Sequence, residues 1–231
     1  CSPLALVSAG FCVACIHVEA ALPALQPAGP PRHRAEGADS EPLPAASGCA
    51  AVDELVAVTE LLLSRRPPAA RGLPVGLVGK GDGAHLVLLA LAMTDRFAAS
   101  VVWGGYVCAD LRQMETGLPP PESVPAVEDK SLLVALPQVR APTLLLCPAD
   151  DACSPVSHAR IVYRALLSAR VESNLVTYPR LRATDRGAQT HTRVWSDATA
   201  RAQAWMKAHL DRGRRFTSES AIESNGKDPR G

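Results

Sequence analysis

Short apolar segments alternate with helical patterns along most of this chain, and that alternation limits the fold more than any other feature of the sequence. The predicted strands are 11–18, 73–78, 98–103, 142–147 and 172–178, and the predicted helices are 3–9, 51–66, 84–94, 156–169 and 195–210. Strands that alternate with helices form βαβ units, whose strands run parallel and whose helices cover the sheet. The sequence therefore predicts an α/β fold with a mainly parallel sheet and helices on both faces.

Three stretches interrupt this pattern. Residues 23–48 are rich in Pro, Ala, Gly and charged residues without a period, which predicts a mobile insert. Residues 105–141 contain three consecutive prolines and little pattern, and we expect a long excursion between strands. The chain is polar and charged after Asp211, which predicts disorder. With 231 residues, 47% of them hydrophobic, we expect one domain over 1–211 and a disordered tail over 212–231.

Composition argues against several classes of function. The formal net charge of +1 gives no reason to expect nucleic acid as a partner, and no apolar run reaches the ~18 residues that span a bilayer. The seven cysteines mostly lie in apolar runs, so we expect buried, reduced thiols of an intracellular protein. Cys12 and Cys15 resemble half of a zinc site, but no second CxxC follows, and on a strand they would point to opposite faces. We therefore expect no metal and no cofactor.

The two ends of the chain bear on its location. The chain opens at Cys1 inside an apolar segment without a positively charged region, which is not the pattern of a signal peptide. We expect that the N-terminal strands of the sheet are missing. The last three residues, 229–231, differ from a peroxisomal Ser-Lys-Leu ending. A cytoplasmic location is the resulting expectation.

The segment Gly79-Lys80-Gly81-Asp82-Gly83 joins a predicted strand to a predicted helix. This layout is typical of a nucleophile elbow with the pattern G-x-S-x-G, in which a strained turn lifts the nucleophile above the sheet. The central residue is Gly81, which carries neither a hydroxyl nor a thiol. We interpret Gly81 as a vacated nucleophile position. The alternative is a turn that binds an anion, which Lys80 favours and Asp82 opposes.

An acidic pair follows the strand 142–147. In an elbow-bearing fold the acid of a catalytic triad lies just past the carboxyl end of a strand, and Asp150 is our candidate for that position, with Asp151 as its neighbour. The alternative role for Asp150 is to cap a loop or helix through backbone N–H groups.

Several segments match a known family in order and spacing. They are 75–79 (VGLVG), 98–105 (AASVVWGG), 117–120 (GLPP), 144–151 (LLLCPADD), 178–179 (YP) and 204–210 (AWMKAHL), with 4–15 similar to a preceding helix–strand unit. Together they resemble the C-terminal α/β-hydrolase domain of the acyl-CoA thioesterase and bile acid-CoA:amino acid N-acyltransferase family. The resemblance implies an α/β-hydrolase-like fold. It also implies a Ser or Cys nucleophile, an Asp and a His that together cleave or transfer acyl groups from coenzyme A thioesters.

The same resemblance identifies where this chain departs from the family. The family pattern after the last strand is Tyr-Pro, three residues and then His, and that position here is Ala183. Ala183 is therefore interpreted as a vacated base position, and Asp150 as a relic acid. The family's oxyanion-hole loop and β-sandwich domain also find no counterpart in the sequence.

The preferred hypothesis is a catalytically inactive acyl-CoA thioesterase-like domain that retains acyl-CoA or other apolar ligand binding, or an interaction role with a protein partner that the sequence does not identify. Two alternatives stay open: an active acyl-CoA hydrolase or acyltransferase of fatty acid metabolism with a rearranged site, and a non-functional truncated product. A rearranged site would need a new base or nucleophile, for which His17, His191, Cys147 and Cys153 are weak candidates. His85 is expected to be a packed or edge histidine, and Trp103 and Tyr106 are expected to line the former pocket or to pack in the core.

Overall fold

Four parallel strands form a sheet in the part of the chain that the structure, a computed structural model, describes. They are β1 (Gly76–Lys80), β2 (Ala99–Trp103), β3 (Thr143–Pro148) and β4 (Ser173–Tyr178), and their order in the sheet is β1-β2-β3-β4. The structure describes residues 3–16, 50–117, 132–149, 151, 154–178 and 188–225. Each of these strands lies within three residues of its predicted bounds, because short apolar runs flanked by Gly and Pro are a local signal.

Seven helices accompany the strands in the described part of the chain. They are α1 (Pro3–Ser8), α2 (Ala50–Ser64), α3 (Pro68–Arg71), α4 (Asp82–Met93), α5 (Ala109–Thr116), α6 (Val156–Ser168) and α7 (Ala188–Asn225). Helical turns also occupy 132–138. None of the helices within the described residues is long and apolar enough to cross a membrane.

The helices form a layer on each face of the sheet. On one face α2, α4, α6 and the turns at 132–138 enclose the larger hydrophobic cluster. On the other face α7 packs against β2 and β3, with α1 beside it. Successive side chains of β2 pack alternately against the two helical layers: Val101 packs on the α7 face and Val102 on the α4 face. The predicted parallel sheet with helices on both faces is confirmed.

The predicted strand at 11–18 is wrong for the residues that the structure describes. Residues 11–16 are assigned to no strand, and Cys12 and Cys15 are exposed free thiols rather than the buried ones expected. Cys108 and Cys147 are buried, as predicted. An apolar run becomes a strand only when a neighbour satisfies its backbone groups, and no described strand pairs with this run.

The predicted excursion at 105–141 contains more structure than expected. Helix α5 ends at Gly117, whose φ of 71° is the left-handed conformation that terminates helices. The turns at 132–138 place Leu132, Leu136 and Val139 in the core. Their spacing of four and three residues is a helical stripe, so the sequence did contain a signal, although the neighbouring prolines obscured it.

The ends of the predicted domain are only partly described. Helix α7 continues to Asn225, whereas disorder was predicted from residue 212. No proline occurs between 212 and 225, so nothing in the covalent structure stops a helix that tertiary packing has already nucleated. Residues 226–231 and the predicted insert at 23–48 lie outside the described residues.

The turns at 132–138 yield a stability prediction. We expect Leu132→Ala to lower the free energy of unfolding by about 3 kcal/mol, because the side chain is 0% exposed and its removal leaves a cavity in the larger cluster. The matched control is Leu133→Ala, which changes a side chain that is 41% exposed and should cost less than about 0.5 kcal/mol. Urea denaturation measures both; equal losses would contradict this account of the segment.

Candidate functional site

The chain reverses direction after β1, β2 and β3 at one edge of the sheet. Because the strands are parallel, their carboxyl ends lie on one side of the sheet, and the three turns that follow them lie next to one another there. Functional sites of α/β sheets are found at these carboxyl ends. The first turn is at Gly81, the second at Gly104 and Gly105, and the third between β3 and α6. The candidate site is built from these three turns.

The first turn is a sharp strand-to-helix reversal at Gly81, which we call the elbow. Gly81 has φ 59° and ψ −122°, directly between the last residue of β1 and the first residue of α4. Its N–H donates to the carbonyl of Trp103 at 3.1 Å, and its own carbonyl accepts from the N–H of Ala84 at 3.0 Å. The observed turn is therefore shorter than the five residues predicted, because β1 extends to Lys80 and α4 begins at Asp82.

Glycine is required at some positions of the elbow and not at others. A Cβ on Gly79 would lie 2.2 Å from the carbonyl oxygen of Gly83, so the strand and the helix approach too closely for a side chain. A Cβ on Gly81 would meet no atom within 4 Å. The apex thus has space for a side chain and a backbone conformation that lifts it off the sheet. The assignment of Gly81 as a vacated nucleophile position stays a prediction.

The second turn holds the elbow and the third turn together. Gly105 has φ 91°, and a Cβ there would lie 2.7 Å from the Cβ of Ala84 and 3.1 Å from the carbonyl oxygen of Gly81. A Cβ on Gly104 would lie 3.2 Å from the Ser154 side chain. The backbone of this turn therefore packs tightly between the elbow and the residues that follow β3.

The third turn includes the acidic pair only in part. Asp151 is half-buried, and its Oδ1 accepts from the N–H of Ser154 at 3.2 Å, which caps the turn before α6. Asp150 and Ala183, the predicted relic acid and vacated base position, lie outside the described residues, as do Cys153, His17 and the side chain of His191. Their roles stay predictions.

Cys147 is the described thiol closest in sequence to this third turn. It is buried, and its Sγ donates to the carbonyl of Pro148 at 3.3 Å. Burial first, and then the charge of Asp151, raise the pKa of Cys147 to about 11, while the charge of Arg160 opposes the shift. The thiol is therefore protonated at neutral pH, and the nucleophilic thiolate form is scarce.

The raised pKa of Cys147 implies a loss of stability at alkaline pH. The native state keeps this proton up to about pH 11, whereas the unfolded state releases it near the ordinary thiol pKa of 9.0. Stability from this group is thus complete below about pH 9 and lost as pH rises towards 11, by about 2 kcal/mol. Cys147→Ala should remove that part of the decline, measured by urea denaturation from pH 7 to 11. Identical pH profiles for the two proteins would contradict the assignment.

A stack of aromatic rings fills the α7 side of the site. Trp103 lies between Tyr178, with ring centroids 5.6 Å apart, and Trp195, at 4.6 Å and an interplanar angle of 8°. The Nζ of Lys80, beside the elbow, lies 4.8 Å from the centre of the Trp195 ring. Of the two roles considered for Trp103, core packing is the one observed. The sequence showed Trp195 only as part of a helical stripe, because nothing local indicates a partner 92 residues away in the chain.

Tyr178 links this stack to the surface of α7. Its hydroxyl donates to Asp197 at 2.8 Å. Burial first, and then the hydrogen bond to Asp197, raise the pKa of Tyr178 well above its usual value. The hydrogen bonds from Arg201 and Tyr178 lower the pKa of Asp197. This network keeps the phenol protonated and holds it in place rather than preparing it to react.

Two buried histidines pack on the opposite side of the sheet. His85 on α4 stacks on Tyr106 with centroids 4.8 Å apart, and its Nδ1 lies 3.0 Å from the Tyr106 carbonyl oxygen. His158 on α6 accepts from the N–H of Val107 at 3.0 Å through Nδ1. The core role expected for His85 is confirmed, whereas the sequence analysis did not single out His158. In the described part of the chain no group of three or more His, Cys, Asp or Glu residues could hold a metal ion.

Comparison with known proteins identifies the fold. No protein-family model matches the chain. It is 33% identical over 82 residues to the human acylamino-acid-releasing enzyme, which covers 36% of this chain and 11% of that protein. Its structure is similar to acylaminoacyl peptidase of Pyrococcus horikoshii, with a TM-score of 0.57, 18% identity, and coverage of 68% of this chain and 27% of the peptidase. An esterase of Pyrococcus furiosus gives a TM-score of 0.51, 15% identity, and coverage of 69% and 62%.

The structural similarities extend over about two thirds of this chain and the sequence similarity over about a third, but both cover only part of the proteins matched. The chain spans about a tenth of the human relative and about a quarter of the archaeal peptidase. At identities below 20% the structural likeness establishes the fold alone. The predicted α/β-hydrolase-like fold is confirmed.

Proposed function

We propose that this chain is an acyl-CoA thioesterase-like α/β-hydrolase domain that does not hydrolyse its ligands and acts by binding. The observation that carries the proposal is the elbow: the apex has the required backbone turn and open space, yet its residue is Gly81. A covalent mechanism needs an attacking oxygen or sulfur atom at that apex. The chain presents backbone there instead.

The size of the expected loss supports an inactive site rather than a weakened one. In a catalytic triad, removal of the nucleophile alone lowers turnover by about 10⁶. The thiol of Cys147 on β3 is buried and protonated, so it is a poor substitute. The family resemblance adds a second loss at Ala183, where a base would otherwise activate the nucleophile.

The ligand class follows from two independent similarities. The sequence segments quoted above resemble a family that acts on acyl groups carried by coenzyme A. The proteins matched in sequence and structure are named for acylated amino acids or for esters. Acyl compounds are common to both, and acyl-CoA is the member that the sequence motifs favour.

Hydrolysis assays test the proposal directly. The purified chain is incubated with decanoyl-CoA, palmitoyl-CoA, an acetylated amino acid amide and a p-nitrophenyl ester, and the released thiol, amine or phenol is titrated. We expect rates equal to those of buffer. Turnover above buffer that is abolished by Asp150→Ala but kept in Asp151→Ala would overturn the proposal and support an active site with a rearranged nucleophile.

Covalent probes and a thermal melt address the two alternatives. An active hydrolase would be indicated if a fluorophosphonate or iodoacetamide labelled a single Ser or Cys at a rate that saturates with reagent concentration. We expect instead that iodoacetamide labels the exposed thiols of Cys12 and Cys15 at a rate proportional to its concentration. A cooperative thermal transition of the isolated chain is the result expected of a functional domain. A non-cooperative transition would instead favour a non-functional product.

A further inference from the structure

The peptide group between Tyr106 and Val107 is held from both sides by histidine rings. It follows the two glycines of the second turn, and both of its residues are buried. Its carbonyl oxygen lies 3.0 Å from Nδ1 of His85 on α4. Its N–H group donates to Nδ1 of His158 on α6, also at 3.0 Å. One peptide group thus fastens the second turn to the helix of the elbow and to the helix that follows β3.

This peptide group decides where each ring carries its proton. A backbone carbonyl can only accept a hydrogen bond, so Nδ1 of His85 holds a proton and donates it to Tyr106. A backbone N–H can only donate, so Nδ1 of His158 keeps its lone pair free of a proton and accepts from Val107. His158 is therefore a neutral imidazole whose proton is on Nε2.

A second proton affects the two hydrogen bonds differently, because an imidazolium ring has an N–H group at both nitrogens. His85 keeps its bond to the Tyr106 carbonyl when it is protonated, since Nδ1 is the donor in either state. His158 loses its bond, since a proton on Nδ1 would lie against the N–H of Val107. The peptide group is thus insensitive to acid on the α4 side and sensitive to acid on the α6 side.

Glu115 on α5 offers a protonated His158 ring another partner. Its Oε2 lies 3.9 Å from Nε2 of His158, and the same oxygen accepts a hydrogen bond from the hydroxyl of Ser157. A carboxylate at this distance is attracted to the imidazolium more strongly than to the neutral ring. Protonation would therefore exchange the bond to Val107 for a charged contact with Glu115.

The other titratable groups around His158 respond in different ranges of pH. Cys147 on β3 and Tyr178 on β4, the strands against which α6 packs, stay protonated in acid because burial raises the pKa of each. The charged side chains on the neighbouring elements are Glu115 and Arg112 on α5, Asp151 before α6 and Arg160 on α6. Arginine stays charged throughout, and carboxylates titrate in more acidic solution than imidazoles. Between about pH 5 and 7 the histidines are thus the groups to follow.

We propose that His158 is an acid-sensitive latch, which holds the second turn to α6 when neutral and releases it when the ring takes up a second proton. The N–H of Val107 is buried, so its release forces the turn to rearrange until another acceptor reaches it. Because Gly105 packs closely against the carbonyl of Gly81, this movement also alters the elbow. His85 keeps the turn attached to α4, which confines the change. The inference holds whether or not the elbow binds a ligand.

Nitrogen NMR of the labelled chain tests the protonation states directly. The ring of His158 is assigned by its proximity to the Val107 amide. At about pH 7.5 we expect a lone pair on Nδ1 and a proton on Nε2 of His158, and a proton on Nδ1 of His85. A proton on Nδ1 of His158 at that pH would overturn the proposal, because the ring could not then accept from Val107.

Amide exchange of the unmodified chain measures the release of the turn. Relative to the intrinsic rate at each pH, protection of the Val107 amide should fall by about tenfold between about pH 7 and 5. The amide of Val171, which donates to Leu166 at the other end of α6, should keep its protection within about twofold. Constant protection at Val107 would mean that nothing is released, and an equal loss at both amides would mean general unfolding. Either result would overturn the proposal.

A pair of histidine variants identifies the group that senses acid. His158→Asn places an amide oxygen as many bonds from the backbone as Nδ1, so it can accept from Val107 but cannot take up a proton. We expect protection at Val107 that no longer depends on pH. The matched control is His209→Asn, which removes another buried histidine, 3.7 Å from Glu172, and should keep the tenfold fall. An undiminished fall in His158→Asn would contradict the latch. The measurements on the unmodified chain decide the proposal even if this variant does not fold.

Glu115→Gln tests the exchange of partners. The substitution removes the charge beside Nε2 of His158 and keeps the shape of the side chain. Without that charge the imidazolium is less favoured, so the fall in Val107 protection should occur at a pH lower by about 0.5 to 1 unit. A midpoint that stays in place or moves to higher pH would show that Glu115 does not receive the protonated ring, and the proposed exchange would be wrong.

Discussion

Gly79→Ala is expected to lower the free energy of unfolding by roughly 3 to 5 kcal/mol, the largest loss we predict for a single added methyl group. The new Cβ would lie 2.2 Å from the carbonyl oxygen and 2.6 Å from the carbonyl carbon of Gly83. Both are backbone atoms, so no side chain can move aside, and strand β1 must separate from helix α4. A thermal melt should show a fall of about 10 °C for a chain of this length.

The neighbouring glycine provides a matched control for that loss. Gly83 lies in the first turn of α4, and a Cβ there would meet no atom within 4 Å. Gly83→Ala should therefore stabilise the protein by about 0.5 kcal/mol, because alanine loses less backbone entropy than glycine in a helix. If the two variants melted at the same temperature, the close approach of β1 and α4 at the elbow would be wrong.

Gly81→Cys is expected to give the elbow a nucleophile that the unmodified elbow lacks. The added Cβ would meet no atom within 4 Å, so the thiol should reach solvent at the apex, beside the N-terminus of α4. With p-nitrophenyl acetate, the sulfur should take the acetyl group as p-nitrophenolate leaves, in a burst of about one equivalent followed by slow hydrolysis. The slow phase is expected because the proposed base position is Ala183.

Gly81→Ala separates the new chemistry from the change in the backbone. Both variants place a Cβ on a residue with φ 59°, so both should lose about 1–2 kcal/mol of stability. The exposed thiols of Cys12 and Cys15 react equally in each, and the difference in burst belongs to the apex. A burst of the same size in Gly81→Ala and Gly81→Cys would mean that the apex is not accessible.

Local patterns predicted most of the secondary structure. The helix at 84–94 and the strands at 98–103 and 142–147 were recognised because apolar runs, glycines and prolines mark their ends within a few residues. The elbow was recognised for the same reason, since alternate glycines between a strand and a helix are a purely local signal. The short strand-to-helix reversal at Gly81 follows from these residues alone.

The features that the sequence analysis did not predict depend on contacts between residues that are far apart in the chain. The apolar run at 11–16 has the composition of a buried strand, but two of its thiols are exposed because no described strand pairs with it. The stack of Trp195 on Trp103 and the hydrogen bond from Val107 to His158 each join residues that are far apart in sequence. No window of the sequence contains both members of such a pair.

The sequence by itself determined the parallel α/β architecture and the chemical character of the elbow, because the period of apolar residues and the absence of a side chain at Gly81 are properties of the covalent chain. Only the tertiary structure decided how the described strands pair and how Trp195 stacks on Trp103 beside the elbow. The physical reason is that strand pairing and the meeting of helical faces depend on long-range contacts, whose free energy no single segment carries.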